Sequence, residues 1–155
     1  MTTDDEIRAI PWAEFETAYG PATDVPAQLR HLAGTDRSAA LAASHELWCG
    51  LCHQHVYVSS AARPALPFIL GALDRAGPDL AVEILDILLG FAVCTRADPG
   101  TATSRVEAFP AWVASLGDAV DAERPRLELL ASDAHTAVAD AARDVLEALG
   151  QRASE

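Results

Sequence analysis

The sequence contains no lysine and few aromatic or β-branched residues, whereas alanine is its commonest residue. This composition favours helix over strand, because β-branched and aromatic side chains are the ones enriched in sheets. Positive charge is also scarce: 11 arginines stand against 23 acidic residues, which gives a net charge of −12. A field of this sign repels phosphate backbones and anionic lipid surfaces. We therefore expect no nucleic-acid or membrane partner, and a cationic partner is favoured instead.

Targeting and membrane signals are also missing from the sequence. Residues 1–10 are polar and acidic, without the basic and apolar regions of a signal peptide. The longest apolar run, Ile84 to Val93, is interrupted by Asp86 and is shorter than the roughly 18 residues of a membrane span. Three cysteines without a secretory signal indicate a reducing compartment. The expected location is the cytoplasm.

Helical periodicity extends along most of the chain, and no segment shows convincing strand alternation. Half of the 155 residues are hydrophobic, which is enough for one compact core. The sequence therefore predicts an all-α fold of about seven or eight helices. The predicted domain covers residues 11–150, between a flexible acidic tail at 1–10 and a short C-terminal tail at 151–155.

Two long helices are predicted to dominate this domain. One begins at Asp36, which can cap it, and extends to Leu51. The other, Leu80 to Cys94, is apolar nearly all round and is therefore expected at the centre. Trp12, Phe15 and Tyr19 lie at i, i+3 and i+7, which predicts a short helix near the N-terminus. Further helices are predicted over 105–116 and 134–149.

A spacing of about 40 residues recurs along the chain. Pro26, Pro67 and Pro110 each begin a Pro-x-x-apolar-x-x-Leu pattern, and they are separated by 41 and 43 residues. Asp36 and Asp79, as caps of the following long helices, are also 43 residues apart. These intervals are typical of helical-hairpin repeats, in which stacked hairpins share a continuous core.

The last predicted helix resembles the second helix of a HEAT repeat, in the armadillo-like superfamily, over Asp133 to Leu149 (DAHTAVADAARDVLEAL). It departs from that pattern at Ala139, where an arginine is usual. The stretches PWAEFETAYGPATDVPAQLRHL and LWCGLCHQHVYVSSAARPALPFIL are similar to small bacterial HEAT-like proteins with a His-Gln-x-Val-Tyr segment between two repeats. The resemblance implies a short α-solenoid that binds other proteins. Some superfamily members are bilin lyases or DNA glycosylases, but no catalytic residue of theirs is matched here.

Stacked hairpins usually line a concave surface with their second helices. In the two aligned second helices Asp86 and Asp140 occupy equivalent positions, and Glu83 and Asp144 lie near them. An acidic inner surface formed by these residues would suit a basic peptide, a basic protein or a cationic small molecule. The alternative is a solvated face that only keeps the domain soluble.

A polar segment follows the first long helix, and it contains His53, Gln54, His55 and Tyr57. One interpretation is structural: its side chains cap the free carbonyls of the helix end, and Tyr57 is wedged between repeats. The other is a polar binding patch at the mouth of the concave surface.

His45, Cys49 and Cys52 lie at i, i+4 and i+7 of the first long helix, and with His53 or His55 they form a candidate zinc site. The alternative is core packing, because Trp48 falls on the same face and cysteine often behaves as a small buried hydrophobe. The Cys-x-x-Cys spacing also matches redox and haem-attachment motifs, but no preceding strand and no export signal accompany it.

The sequence thus predicts a non-catalytic protein-binding or scaffold module with an acidic concave surface and no cofactor. An accessory or immunity-type role would fit a small acidic binder. The competing hypothesis is a small-molecule- or metal-binding protein, or an enzyme, with its site around His45 to Tyr57. No P-loop or dinucleotide-binding motif is present.

Overall fold

A computed structural model of the protein describes residues 2–96 and 110–153, which form eight α-helices and one two-stranded hairpin. The all-α prediction is confirmed. The hairpin pairs β1 (Glu16–Thr17) with β2 (Gly20–Pro21), and 3-10 turns cover Trp12–Glu14 and His53–His55. The helices are α1 (Thr3–Arg8), α2 (Val25–Ala33), α3 (Arg37–Cys52), α4 (Ala62–Arg75), α5 (Pro78–Thr95), α6 (Ala111–Asp121), α7 (Arg124–Leu130) and α8 (Thr136–Ala153).

Helix α5 is the centre of the fold. It packs against α3, α4, α6 and α8, and five of its large side chains are fully buried: Ile84, Leu85, Ile87, Leu88 and Phe91. Full burial of a large apolar side chain contributes roughly 1.5–3 kcal/mol. A helix that is apolar around most of its circumference can bury these side chains only between other helices. The central position predicted for this helix is therefore confirmed.

The contacts between helices fall into two series. In one, α5 lies between α3 and α8; in the other, α4 lies between α2 and α6. The helix pairs α2–α3, α4–α5 and α5–α6 connect the two series, and α7 packs against α8. The apolar core lies between them and includes buried side chains of both series.

The start of α3 agrees with the sequence prediction, whereas the start of α5 differs from it. Asp36 Oδ1 accepts a hydrogen bond from the Ala39 amide at 3.1 Å, so Asp36 caps α3 as predicted. Asp79 lies inside the first turn of α5, which starts after Gly77, and it forms an ion pair with Arg37 instead of a cap. The helix predicted at 105–116 lies partly outside the described residues, and α6 begins at Ala111.

The N-terminal segment differs from the flexible tail that was expected over residues 1–10. Thr2 and Asp5 form a capping box in which each accepts a hydrogen bond from the other's backbone amide, and α1 follows. Ile7 is buried, and its carbonyl accepts a hydrogen bond from Trp12 Nε1 at 2.8 Å. Arg30 of α2 pairs with Asp4, which links α1 to the domain.

The short helix predicted from Trp12, Phe15 and Tyr19 is wrong. The segment forms a 3-10 turn and then the β1–β2 hairpin, with Trp12 buried and Tyr19 70% exposed. The hairpin is held by distant backbone groups: the Ala18 amide donates to the Gly50 carbonyl at 2.8 Å, and the Ala61 amide donates to the Glu16 carbonyl at 3.0 Å. These long-range hydrogen bonds outweigh a local helical spacing.

Replacing Gly90 of α5 with alanine is expected to destabilise the fold. A Cβ at this position would lie 2.5 Å from Cys52 Sγ and 2.8 Å from His55 Cδ2, so the end of α3 would have to move away from α5. Overpacking of this kind costs about 1–3 kcal/mol, more than the ~1 kcal/mol by which alanine exceeds glycine in helix propensity. Urea denaturation followed by circular dichroism measures the change.

Gly71 of α4 provides the matched control for this substitution. A Cβ there would meet no atom within 4 Å, so Gly71→Ala is expected to stabilise the protein by up to ~1 kcal/mol. A Gly90→Ala protein as stable as Gly71→Ala would show that the contact between α3 and α5 is looser than described.

Candidate functional site

A groove between α5 and α8 brings the four predicted acidic residues together. Glu83 and Asp86 of α5 and Asp140 and Asp144 of α8 all line it, and its volume is about 270 Å³. Asp86 is half-buried, and the other three are exposed. All four carboxylates thus lie along one groove.

The floor of this groove is apolar. Its remaining lining residues are all aliphatic and come from both helices: Val82, Leu85, Leu89, Ala137 and Ala141. The lining residues span about two turns of each helix, which corresponds to a groove roughly 10 Å long at the helical rise of 1.5 Å per residue. The four carboxylates thus lie along a groove with an apolar floor.

Two of the four carboxylates already have a cationic or hydrogen-bonding partner within the protein. Arg143 Nη1 lies 2.9 Å from Asp140 Oδ1, and the same guanidinium donates to the Ala131 carbonyl. His55 Nε2 lies 3.2 Å from Asp86 Oδ1. Among the described residues, Glu83 and Asp144 have no such partner. Within this part of the chain only Asp140 is paired with a permanent positive charge, that of Arg143, and Glu83 and Asp144 are the two groove carboxylates without a partner.

A left-handed turn places His55 at the edge of the groove. His53, Gln54 and His55 have positive φ angles of 40°, 55° and 70°, a region that costs roughly 1–2 kcal/mol for each non-glycine residue. His55 Nε2 is also 3.0 Å from the Asp86 carbonyl oxygen. Both neighbours of Nε2 are acceptors, so this nitrogen carries the hydrogen and donates it.

The side chains of this turn do not cap the end of α3 as the structural interpretation predicted. The His55 ring bonds to a carbonyl of α5, not to the end of α3, whose Leu51 carbonyl accepts from the Ser59 amide at 2.9 Å. Tyr57 is not wedged between helices, because it remains 46% exposed. Gln54 is exposed as well.

An aromatic cluster surrounds the turn on its solvent side. The His53 ring centroid lies 4.8 Å from that of Tyr57 and 6.2 Å from that of Tyr19. On the inner side, the Trp48 ring lies 5.7 Å from that of His55. The buried atoms His53 Nδ1 and Trp48 Nε1 have no hydrogen-bond partner among the described residues. His53 therefore packs against tyrosine rings on the solvent side of the turn, whereas His55 packs against Trp48 on the inner side.

The cysteines of α3 also have different surroundings. Cys49 is half-buried, and its Sγ lies 3.7 Å from His45 Nε2. Partial desolvation of the Tyr19 phenol, together with the neighbouring Cys49 thiol, raises the pKa of Tyr19. Cys52 is fully buried against α5, where its thiol donates to the Trp48 carbonyl at 3.2 Å.

The predicted zinc ligands are not assembled into a metal site. His45 and Cys49 are neighbours, but Cys52 packs against Gly90 and the His53 ring stacks on Tyr57. Within residues 2–96 and 110–153, no three His, Cys, Asp or Glu side chains are placed to hold one metal ion. All three cysteines are free thiols. The described geometry therefore gives the zinc hypothesis no support.

No protein family, curated protein or solved structure is recognisably similar to this chain. None of the described helices has the length and apolarity needed to cross a membrane. The candidate sites are therefore assigned from the geometry and chemistry of their own residues.

Three residues of these sites were not identified from the sequence. Arg143 had a usable signal, because a cation three residues after Asp140 lies on the same side of a helix. Gly90 had one as well, since a glycine inside an apolar helix indicates a close approach. Tyr19 had none, because its position depends on the docking of the hairpin on α3 and α4.

Burial of the Cys52 thiol predicts a loss of stability in alkaline solution. Burial raises the pKa of Cys52 to about 12, from a value of 9.0 for an unperturbed thiol. The unfolded chain therefore releases this proton first, and the free energy of unfolding falls between pH 9 and pH 12. The loss attributable to Cys52 is at most ~1.4 kcal/mol per pH unit.

Urea denaturation at several values between pH 8 and pH 11 tests this prediction with Cys52→Ala as the comparison. Burial also raises the pKa of Cys94 to about 11, so the variant is expected to keep part of the alkaline loss but to have a shallower slope. Equal slopes for the two proteins would contradict the assignment to Cys52, whatever their difference in absolute stability.

Proposed function

We propose that this protein is a non-catalytic binding module of the cytoplasm that holds a basic segment of a partner protein in the groove between α5 and α8. The observation that carries this proposal is the pair of carboxylates without a partner among the described residues, Glu83 and Asp144, beside an apolar floor. The net charge of −12 supports it further, because such a field attracts cationic partners and accelerates their association.

Arginine and lysine side chains match both properties of the groove. Each has an aliphatic stem that packs on apolar surface and a charged head that stays near water. In the groove the stem would lie on residues such as Val82, Leu89 and Ala141, and the head would reach Glu83 or Asp144. Asp86 and Asp140 already contact His55 and Arg143, so they would contribute less to binding the basic segment.

We also propose that the chain is a short α-solenoid of HEAT-like hairpins. The two series of helix contacts are those expected when hairpins stack, and Pro26, Pro67 and Pro110 each stand at or in a helix of the α2–α4–α6 series. Ala139, which replaces the usual arginine, is buried, so no arginine ladder is possible there. Such modules mostly act as scaffolds, which agrees with an accessory or immunity-type role.

A designed peptide tests the groove without knowledge of the natural partner. The probe is an alanine-based helical peptide with two arginines seven residues apart, which places their stems about 10 Å apart. We expect it to bind, and we expect Glu83→Gln with Asp144→Asn to weaken binding about tenfold, since each exposed ion pair contributes up to ~1 kcal/mol. Isothermal titration calorimetry at low salt measures both affinities.

Two further variants separate the groove from general electrostatics. Glu14→Gln with Glu128→Gln removes the same charge from exposed sites outside the groove, and it is expected to leave peptide affinity nearly unchanged. Asp86→Asn with Asp140→Asn is expected to have a smaller effect than the Glu83 and Asp144 pair. Equal weakening by the control pair, or no binding of the peptide at all, would refute the proposed site.

A further inference from the structure

A cysteine, a histidine and a tyrosine meet on the exposed side of α3, outside the acidic groove. Cys49 and His45 are one helical turn apart, so their side chains share a face, and Sγ lies 3.7 Å from Nε2. The hairpin also brings Tyr19 near this pair, and partial desolvation together with the neighbouring Cys49 thiol raises the pKa of the Tyr19 phenol. The backbone bond from the Ala18 amide to the Gly50 carbonyl fixes this arrangement.

These neighbours supply what a reactive thiol needs. An adjacent imidazole can take the proton of the thiol, and the resulting pair of charges stabilises the thiolate, which is the nucleophilic form. Cys49 is half-buried and His45 is exposed, so small reagents can reach the sulfur.

The other two thiols lack this environment. Burial raises the pKa of Cys52 to about 12 and that of Cys94 to about 11, so both remain protonated at neutral pH. Cys52 also has its Sγ against Gly90, where an added Cβ would lie 2.5 Å away. Reaction at Cys52 would therefore require the end of α3 to separate from α5.

We infer that Cys49 is a modification site, a nucleophilic thiol activated by His45 that hydroperoxides oxidise to a sulfenic acid. The thiolate sulfur attacks one peroxide oxygen, so that an S–O bond forms as the O–O bond breaks. Sulfur loses two electrons to the peroxide. The leaving hydroxide or alkoxide takes the proton that His45 received from the thiol, and water or an alcohol is released.

The packing of Cys52 determines the product. A sulfenic acid usually condenses with a nearby thiol, and Cys52 is the nearest in sequence. Its sulfur is directed at α5 and is bonded to the Trp48 carbonyl, so it is not presented to Cys49. The expected product in the folded protein is thus the sulfenic acid at Cys49, not a disulfide between Cys49 and Cys52.

Alkylation kinetics test the activation of Cys49. The native chain is treated with iodoacetamide at pH 7, and modification of each cysteine is followed by peptide mass spectrometry. Cys49 is expected to react well before Cys52 and Cys94, and the order is expected to disappear in urea. His45→Gln is expected to slow Cys49 about tenfold, because it removes a hydrogen bond to a charged group, and to shift its pH–rate profile to higher pH.

Two variants serve as controls for His45. His135→Gln changes another exposed histidine, on the N-terminal side of α8, and is expected to leave the Cys49 rate unchanged. Tyr19→Phe keeps the ring and is expected to slow Cys49 by a smaller factor than His45→Gln. Circular dichroism confirms that each variant is folded. An unchanged Cys49 rate in folded His45→Gln, or faster reaction at Cys94, would overturn the inference.

Oxidation is tested with hydrogen peroxide and dimedone, a reagent that captures sulfenic acids. Capture at Cys49 is expected in the wild-type protein, and markedly less in His45→Gln. Capture at another cysteine, or a disulfide between Cys49 and Cys52 as the main product, would overturn the assigned site or its product. Because the groove residues take no part, these results are independent of peptide binding.

Discussion

The close contact between the end of α3 and the middle of α5 is the interaction on which most of the described structure depends. The missing side chain at Gly90 allows Cys52 and the His55 ring to reach the backbone of α5. This approach buries Cys52 and brings His55 onto both acceptors of Asp86. With one side of α5 occupied by α3, another side is left for α8, and the acidic groove forms along that second contact.

The pair His55 and Asp86 joins two surfaces that differ in chemistry. On one side Asp86 lines the groove with its aliphatic floor, and on the other His55 belongs to a turn surrounded by aromatic rings. A hydrogen bond between them couples the position of the turn to the charge of the groove. Residues that the sequence separates by 31 positions thus act in one local network.

Features encoded by local patterns were predictable from the sequence, and features that depend on long-range hydrogen bonds were not. The Asp36 cap follows from the residue before a helical pattern, and the four groove acids follow from matching helices 54 residues apart. The position of Tyr19 depends on bonds such as that from the Glu16 amide to Ser60 Oγ, across 44 residues. No periodicity within residues 12–19 contains that information.

The charges of the groove also depend partly on local sequence patterns and partly on long-range contacts. Composition predicts an acidic surface, but it does not say which carboxylates have a partner within the fold. Arg143 reaches Asp140 through local helical spacing, whereas His55 reaches Asp86 only because a left-handed turn reverses the chain after α3. One local contact and one long-range contact thus determine which two acids remain without a partner among the described residues.

The left-handed turn at residues 53–55 also limits which sequences this fold accepts. Three consecutive residues with positive φ tolerate glycine, asparagine, aspartate or histidine far better than any β-branched side chain. Related chains should therefore show little variety at these positions for a reason that concerns backbone conformation alone. Low sequence variety at these positions would reflect the left-handed backbone of the turn, and it would not by itself indicate a ligand-binding site.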